Sequence, residues 1–285
     1  MKPEAVLGAE TLARAFPAGA TAPVAIMTTP AAADRVAAVA RTVPGVASST
    51  AGERTADLAE VNVVLTAEPG TTASYRAIRE LRQATAAIPG AQAMVGGTVA
   101  GDLDLKQAQQ RDRDLIIPLI LVLVALVLVA LLRAVLAPVL LMLTVIASYF
   151  ASLGASWLLF RHWLGFPALD ESVLLLSFLF LVALGVDYNI FLVTRAREEA
   201  TESGTRAGMQ TALRVTGGVI TSAGILLAAV FAVLGVLPLL VLTQIGIIVC
   251  VGVLLDTLLV RTVIVPALAF TLGSAFWWPR APKAS

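Results

Sequence analysis

The chain has 285 residues, of which 58% are hydrophobic and 14% charged, and its formal net charge is +1. Soluble domains carry about 25% charged residues, so a wholly water-soluble protein and a disordered chain are both excluded. A single cysteine, Cys250, and a single histidine, His162, argue against a disulfide framework, a multi-residue metal site and Ser-His-Asp chemistry, and near-neutral charge argues against a nucleic-acid partner.

The charges are unevenly placed. Residues 1–114 hold 23 of the 39 Asp, Glu, Lys and Arg residues, although they are the shorter part. A polar domain over 1–113 is therefore expected before a membrane domain over 114–265 and a short tail over 266–285. In the polar part, PVAIMTT (23–29) and VNVVLT (61–66) are β-branched and read as strands, with a helix near 30–43 and a short strand at 45–50 between them. A second helix over about 71–88 begins at Thr71 or Thr72 as N-cap and places Tyr75, Ile78 and Leu81 on one face. Pro89-Gly90 ends it, and AQAMV follows as a last strand. The order βαββαβ is that of the ferredoxin-like split motif, a fold that names no function by itself.

Leu115 to Leu132 is an unbroken apolar run of 18 residues, close to the roughly 20 that span a bilayer as a helix. Five spans are expected, at about 114–133, 137–160, 171–194, 216–237 and 239–260, with the last two forming a tight hairpin at Pro238. Residues 266–278 are too short to span and are expected at the interface. With the N-terminal domain outside, the inner face receives Arg133, Arg195, Arg197, Arg206, Arg214, Arg261, Arg280 and Lys283, and the outer face only Arg161. That bias predicts an extracytoplasmic N-terminal domain and a cytoplasmic C-terminus. Residues 1–20 contain no apolar core of signal-peptide length, so a preceding transmembrane helix is expected to translocate the domain.

Two acids, Asp187 and Asp256, fall within the expected spans beyond their first residues. Asp187 lies eight residues before Arg195, roughly 12 Å deep at 1.5 Å per residue. An ionised carboxylate there costs about 2.5–3.5 kcal/mol, and intramembrane acids are functional by default. A buried acid can lower that cost by protonating, which is what proton coupling requires. Tyr188 adds a hydroxyl, and because adjacent helical residues point about 100° apart the two should meet different partners. Asp256, five residues before Arg261, is expected either to pair with a basic residue near the inner face or to join a relay. Thr221 and Ser222 could line a polar path, but back-bonding to their own helix is the stronger expectation. Gly217, Gly218 and Gly224 read as close-packing positions. Arg195, Arg197, Glu198 and Glu199 read as a solvated helix end. An intramembrane aspartyl protease would need Asp187 and Asp256 to meet at one depth, and Asp256 lies too near the inner face. No GxxxxGKS/T sequence points to nucleotide hydrolysis.

GVDYNIFLVTRAREE (185–199) resembles the signature of the MMPL family, within the RND superfamily of proton-driven exporters. ITSAGILLAAVFAVL (220–234), GVLLDTLLVRTVIVPAL (252–268) and VGGTVAGDLD (95–104) are similar to other family stretches. The resemblance implies a polytopic α-helical protein of the cell (cytoplasmic) membrane with a ferredoxin-like extracytoplasmic porter domain. It implies export of lipids or other hydrophobic molecules, with the proton gradient as energy source and no cofactor, metal or enzymatic activity. Family members have two homologous halves, and this chain resembles the C-terminal half without its first span. By that match Asp187 and Tyr188 are proton-relay residues, facing a counterpart pair in the other half. The expected partners are membrane lipids, a lipid-like substrate and a completing half: an N-terminal half, a second copy or a separate half-transporter. The alternative is a non-transporting remnant, accessory subunit or sterol-sensing-like scaffold.

Overall fold

Alternation decides the sheet. In β1 (Val24–Thr28) residues Val24, Ile26 and Thr28 are buried, and in β3 (Ala59–Leu65) the buried set is Ala59, Val61, Val63 and Leu65. Side chains alternate between the two faces of a strand, so each strand gives one face to the core. The computed structural model describes residues 15–166 and 168–280, together with Glu4, Leu7, Gly8 and Thr11. The chain divides into two compact units, Met1–Gln110 and Arg111–Ser285.

In the first unit, β1 is followed by α1 (Ala33–Thr42), β2 (Val46–Arg54), β3, α2 (Thr72–Ala86) and β4 (Met94–Gly96). The four strands form one sheet in the order β2-β3-β1-β4, with antiparallel neighbours throughout. Ile26 stands opposite Val61 on one side and Val95 on the other. Val36, Ala37 and Ala40 of α1 and Ala77, Ile78 and Leu81 of α2 share the core with the sheet. Burying a side chain the size of Ile78 or Leu81 contributes roughly 1.5–3 kcal/mol. Thr71 is the N-cap of α2, where its hydroxyl accepts from the Ser74 N–H at 3.3 Å. The next helix, α3 (Thr98–Leu132), contains the apolar run that begins at Leu115.

The second unit is helical: α4 (Leu136–Leu159), α5 (Glu171–Leu234), α6 (Leu240–Leu255), a π-helical stretch Asp256–Ile264, and α7 (Val265–Leu272). Asp170 caps α5, accepting from the Ser172 N–H at 2.9 Å. Buried Gln244 ties the preceding loop to α6: its Nε2 donates to the Ala168 carbonyl and its Oε1 accepts from the Asp170 N–H.

Where five spans were expected, four helices among the described residues are long and apolar enough to cross a membrane: Thr98–Leu132, Leu136–Leu164, Glu171–Leu234 and Leu240–Trp277. The expected spans 171–194 and 216–237 both lie in α5, whose 64 residues are interrupted only at Gly204, with φ 82° and ψ 165°. The chain reverses there. A Cβ on Gly208 would come within 2.5 Å of the Ala200 nitrogen, and Phe180 meets Phe231 edge-on at 5.4 Å. An unbroken helix would hold residues eight apart at about 12 Å. Thus α5 is an antiparallel hairpin of two arms, 171–203 and 205–234. No loop separates them because the charged connection is rich in Ala, Glu and Arg, all good helix formers.

Glycines allow the helices to approach. A Cβ on Gly224 would fall 2.4 Å from Thr257 Oγ1, as expected for a packing position. Gly217 and Gly218 differ from that expectation, since nothing lies within 4 Å of either added Cβ. The segment after Pro266 does not rest only on an interface: Phe276 and Trp277 are fully buried in the core of the second unit.

Candidate functional site

The arm 171–203 carries two distinct faces. Leu176, Phe180, Ala183, Asp187 and Phe191 recur every three or four residues and are all exposed. Such spacing places them in one stripe along a helix. Asp187 is the only charge in that stripe. The expected burial of this carboxyl is therefore not supplied by its own chain.

Tyr188, turned about 100° away, lies against the interior. The Arg261 guanidinium stands 4.6 Å from the centre of its ring. Arg261 is 2% exposed and forms an ion pair with Asp256, itself 6% exposed. Arg261 Nε also donates to Asn189 Oδ1, and Nη2 to the Gly185 carbonyl, each at 3.4 Å. A cleft of about 10 Å³, at the limit for one water molecule, is lined by Leu181, Leu184, Gly185, Tyr188, Val253, Asp256, Thr257 and Arg261. Asp256 Oδ1, Asn189 Nδ2 and Arg261 Nη1 are buried without a hydrogen-bond partner among the described residues.

The π-helix explains the pair. Residues five apart in an α-helix point about 140° away from each other. The wider i→i+5 winding of Asp256–Ile264 brings Asp256 and Arg261 toward the same side. Arg261, counted in the sequence among the basic residues of the inner face, is a buried cation. Pairing of Asp256 with a basic residue is the arrangement found.

Thr221 and Ser222 stand apart from this cluster in their bonding. Thr221 is half-buried, while Ser222 is exposed and donates to the carbonyl of Val219 in its own helix. Asp187 and Asp256 occupy different environments, one exposed and one tied to Arg261, so they form no acid dyad. Among the described residues, no group of His, Cys, Asp and Glu could hold a metal ion. Sequence reasoning missed Asn189 and Gln244. A signal was present for Asn189, which stands one turn from Gly185 and Val186 on the buried face of the arm.

The MMPL family model matches residues 28–285. The chain is 47% identical over 278 residues to ActII-3, a membrane protein of Streptomyces coelicolor, a match covering 98% of this chain and 39% of that protein. It is 43% identical to the apo-petrobactin exporter of Bacillus anthracis, over 66% of this chain and 25% of the exporter. It is 44% identical to the acyltrehalose exporter MmpL10 of Mycobacterium tuberculosis, over 63% of this chain and 18% of the exporter. The chain thus spans about two fifths or less of the length of these relatives.

Proposed function

The chain belongs to the MMPL family of multi-pass membrane proteins, and on that premise we propose that it is the C-terminal half of a proton-driven exporter of lipids or other hydrophobic molecules. The observation that carries this reading is the position of Asp187: a lone carboxylate in an exposed apolar stripe of a membrane helix. Left against lipid, its charge would cost about 2.5–3.5 kcal/mol or more. Covered by a second half, the same carboxyl becomes an interior acid whose protonation can be coupled to movement.

Relatives named as exporters of acyltrehalose and of apo-petrobactin support a transport role. In this reading Asp187 and Tyr188 relay protons at the seam with the completing half, which is an N-terminal half, a second copy or a separate half-transporter. The first unit, with its βαββαβ order and β2-β3-β1-β4 sheet, serves as a ferredoxin-like porter domain outside the cell membrane. The basic bias that sets this orientation survives the removal of Arg261 from the count, since Arg133, Arg195, Arg197, Arg206, Arg214, Arg280 and Lys283 still oppose Arg161.

The test is efflux of the hydrophobic dye phenylnaphthylamine from energised cells that produce the protein in its native membrane. Efflux should stop with a protonophore and in Asp187→Asn, with membrane insertion unchanged. Protonophore-sensitive efflux that persists in Asp187→Asn would remove the relay assignment.

A further inference from the structure

A second polar site lies at the other end of the same helical arm and takes no part in the relay. Three chain segments of the second unit meet there. The Trp278 carbonyl accepts from the Val135 N–H at 2.8 Å, binding the C-terminal segment to the start of α4. Trp277 is fully buried, and its Nε1 donates to Thr205 Oγ1 at 3.1 Å, beside the Gly204 reversal. Arg206 Nε donates to the Phe270 carbonyl at 3.1 Å, fastening the same corner to α7.

Around this junction three arginines gather. Arg197 lies over the Trp277 ring, 6.0 Å from its centre. Arg133 and Arg280 are the charges that act most strongly on Arg197, and both repel it. Of the acids on the arm, Glu198 and Glu199 accept from Arg195 at 3.1 and 2.5 Å, and Glu202 is exposed beside Gly204 and forms no ion pair among the described residues. Among the described residues, none of Arg133, Arg197 and Arg280 forms an ion pair, and Arg197 Nη1 is buried with no partner. A buried guanidinium nitrogen loses its hydration and is costly unless an acceptor replaces it.

Position indicates what that acceptor is. Arg133 directly follows the apolar run that ends at Leu132, and Trp278 is exposed beside it. Tryptophan and arginine at the end of a span belong at headgroup depth. Guanidinium groups match phosphate oxygens in geometry and charge. We propose that Arg133, Arg197 and Arg280 form a binding site for the phosphate of an anionic phospholipid headgroup, with Trp277 as its floor. The lipid supplies the missing negative charge and holds the C-terminal segment against the Gly204 corner.

The full chain, purified in a zwitterionic detergent, is titrated with phosphatidylglycerol or phosphatidylcholine and examined by native mass spectrometry. One phosphatidylglycerol should be retained at least tenfold better than phosphatidylcholine. About 1 kcal/mol for each basic residue near a charged membrane surface corresponds to roughly fivefold in affinity. Arg133→Gln and Arg197→Gln should therefore each weaken retention about fivefold, and Arg197→Lys should keep most of it. Arg161→Gln, at the opposite end of α4, should have no effect. If Arg197→Gln fails to fold, Arg133→Gln and Arg197→Lys still give the answer. Equal retention of the two lipids, or undiminished retention in Arg133→Gln, overturns the site. Complete displacement by millimolar inorganic phosphate, without preference for phosphatidylglycerol, overturns the lipid and identifies free phosphate as the occupant.

Discussion

The Arg261 guanidinium stands 4.6 Å from the centre of the Tyr188 ring, while Asp187, one residue earlier, is exposed on another face of the same arm. One helix turn thereby connects a buried ion pair to an acid that has no partner among the described residues. Asp256 fixes the position of Arg261, and Arg261 fixes the tyrosine.

That linkage makes the ion pair a structural keystone whose loss should be asymmetric. Removing one partner of a buried pair leaves an uncompensated charge and costs about 3–5 kcal/mol, whereas replacing both by apolar residues costs far less. Arg261→Met and Asp256→Leu alone should each lower the thermal unfolding midpoint in detergent sharply, and the double variant should recover much of the loss. Additive losses in the double variant would mean that the two side chains do not act as a pair.

Helix approach at Gly224 gives a second expectation. An added Cβ would stand 2.4 Å from Thr257 Oγ1 and 2.7 Å from its Cγ2. Overpacking of this kind costs about 1–3 kcal/mol. Gly224→Ala should destabilise the protein by that amount, and Thr257→Ala should partly relieve it. Gly217→Ala, with open space around it, serves as the neutral comparison. Equal unfolding midpoints for Gly224→Ala and Gly217→Ala would refute the close contact.

The first unit carries a pH-dependent contact. Arg82 donates to both Asp104 oxygens, at 2.5 and 2.8 Å, and also to the Val95 carbonyl. The hydrogen bond from Arg82 holds the Asp104 carboxyl below its ordinary range. A depressed carboxyl stabilises the folded state above its unfolded pKa of about 3.9, and the contribution disappears as pH falls through the lower folded value. Because the pair is exposed, Asp104→Asn should cost at most about 1 kcal/mol at neutral pH. The difference from the parent protein should vanish in strong acid. A difference that is constant at all pH values would assign the effect to packing instead.

Much of this architecture is legible in the residues, for definable reasons. The shift in charge density marks the two parts, and β-branched runs such as VNVVL mark the strands. The α5 corner was harder to see, because 195–215 falls between two expected spans yet consists largely of helix-forming residues, with Gly204 alone reversing the chain. Asp187 and Tyr188 stand out as polar residues in an apolar run, but their exposure depends on which side of the arm meets α6 and its continuation. The burial of Arg261 against Asp256 was harder to read, because a spacing of five residues points side chains apart in an α-helix and brings them together in a π-helix. Asn189 and Gln244 carry no charge, and only the packed structure places them against Arg261 and the 168–170 loop.

The role of Asp187 is measured most directly as proton flux in proteoliposomes that contain the protein with its completing half. An imposed pH gradient should drive proton entry that is lost in Asp187→Asn and largely retained in Asp187→Glu. Undiminished proton entry in Asp187→Asn would contradict the account.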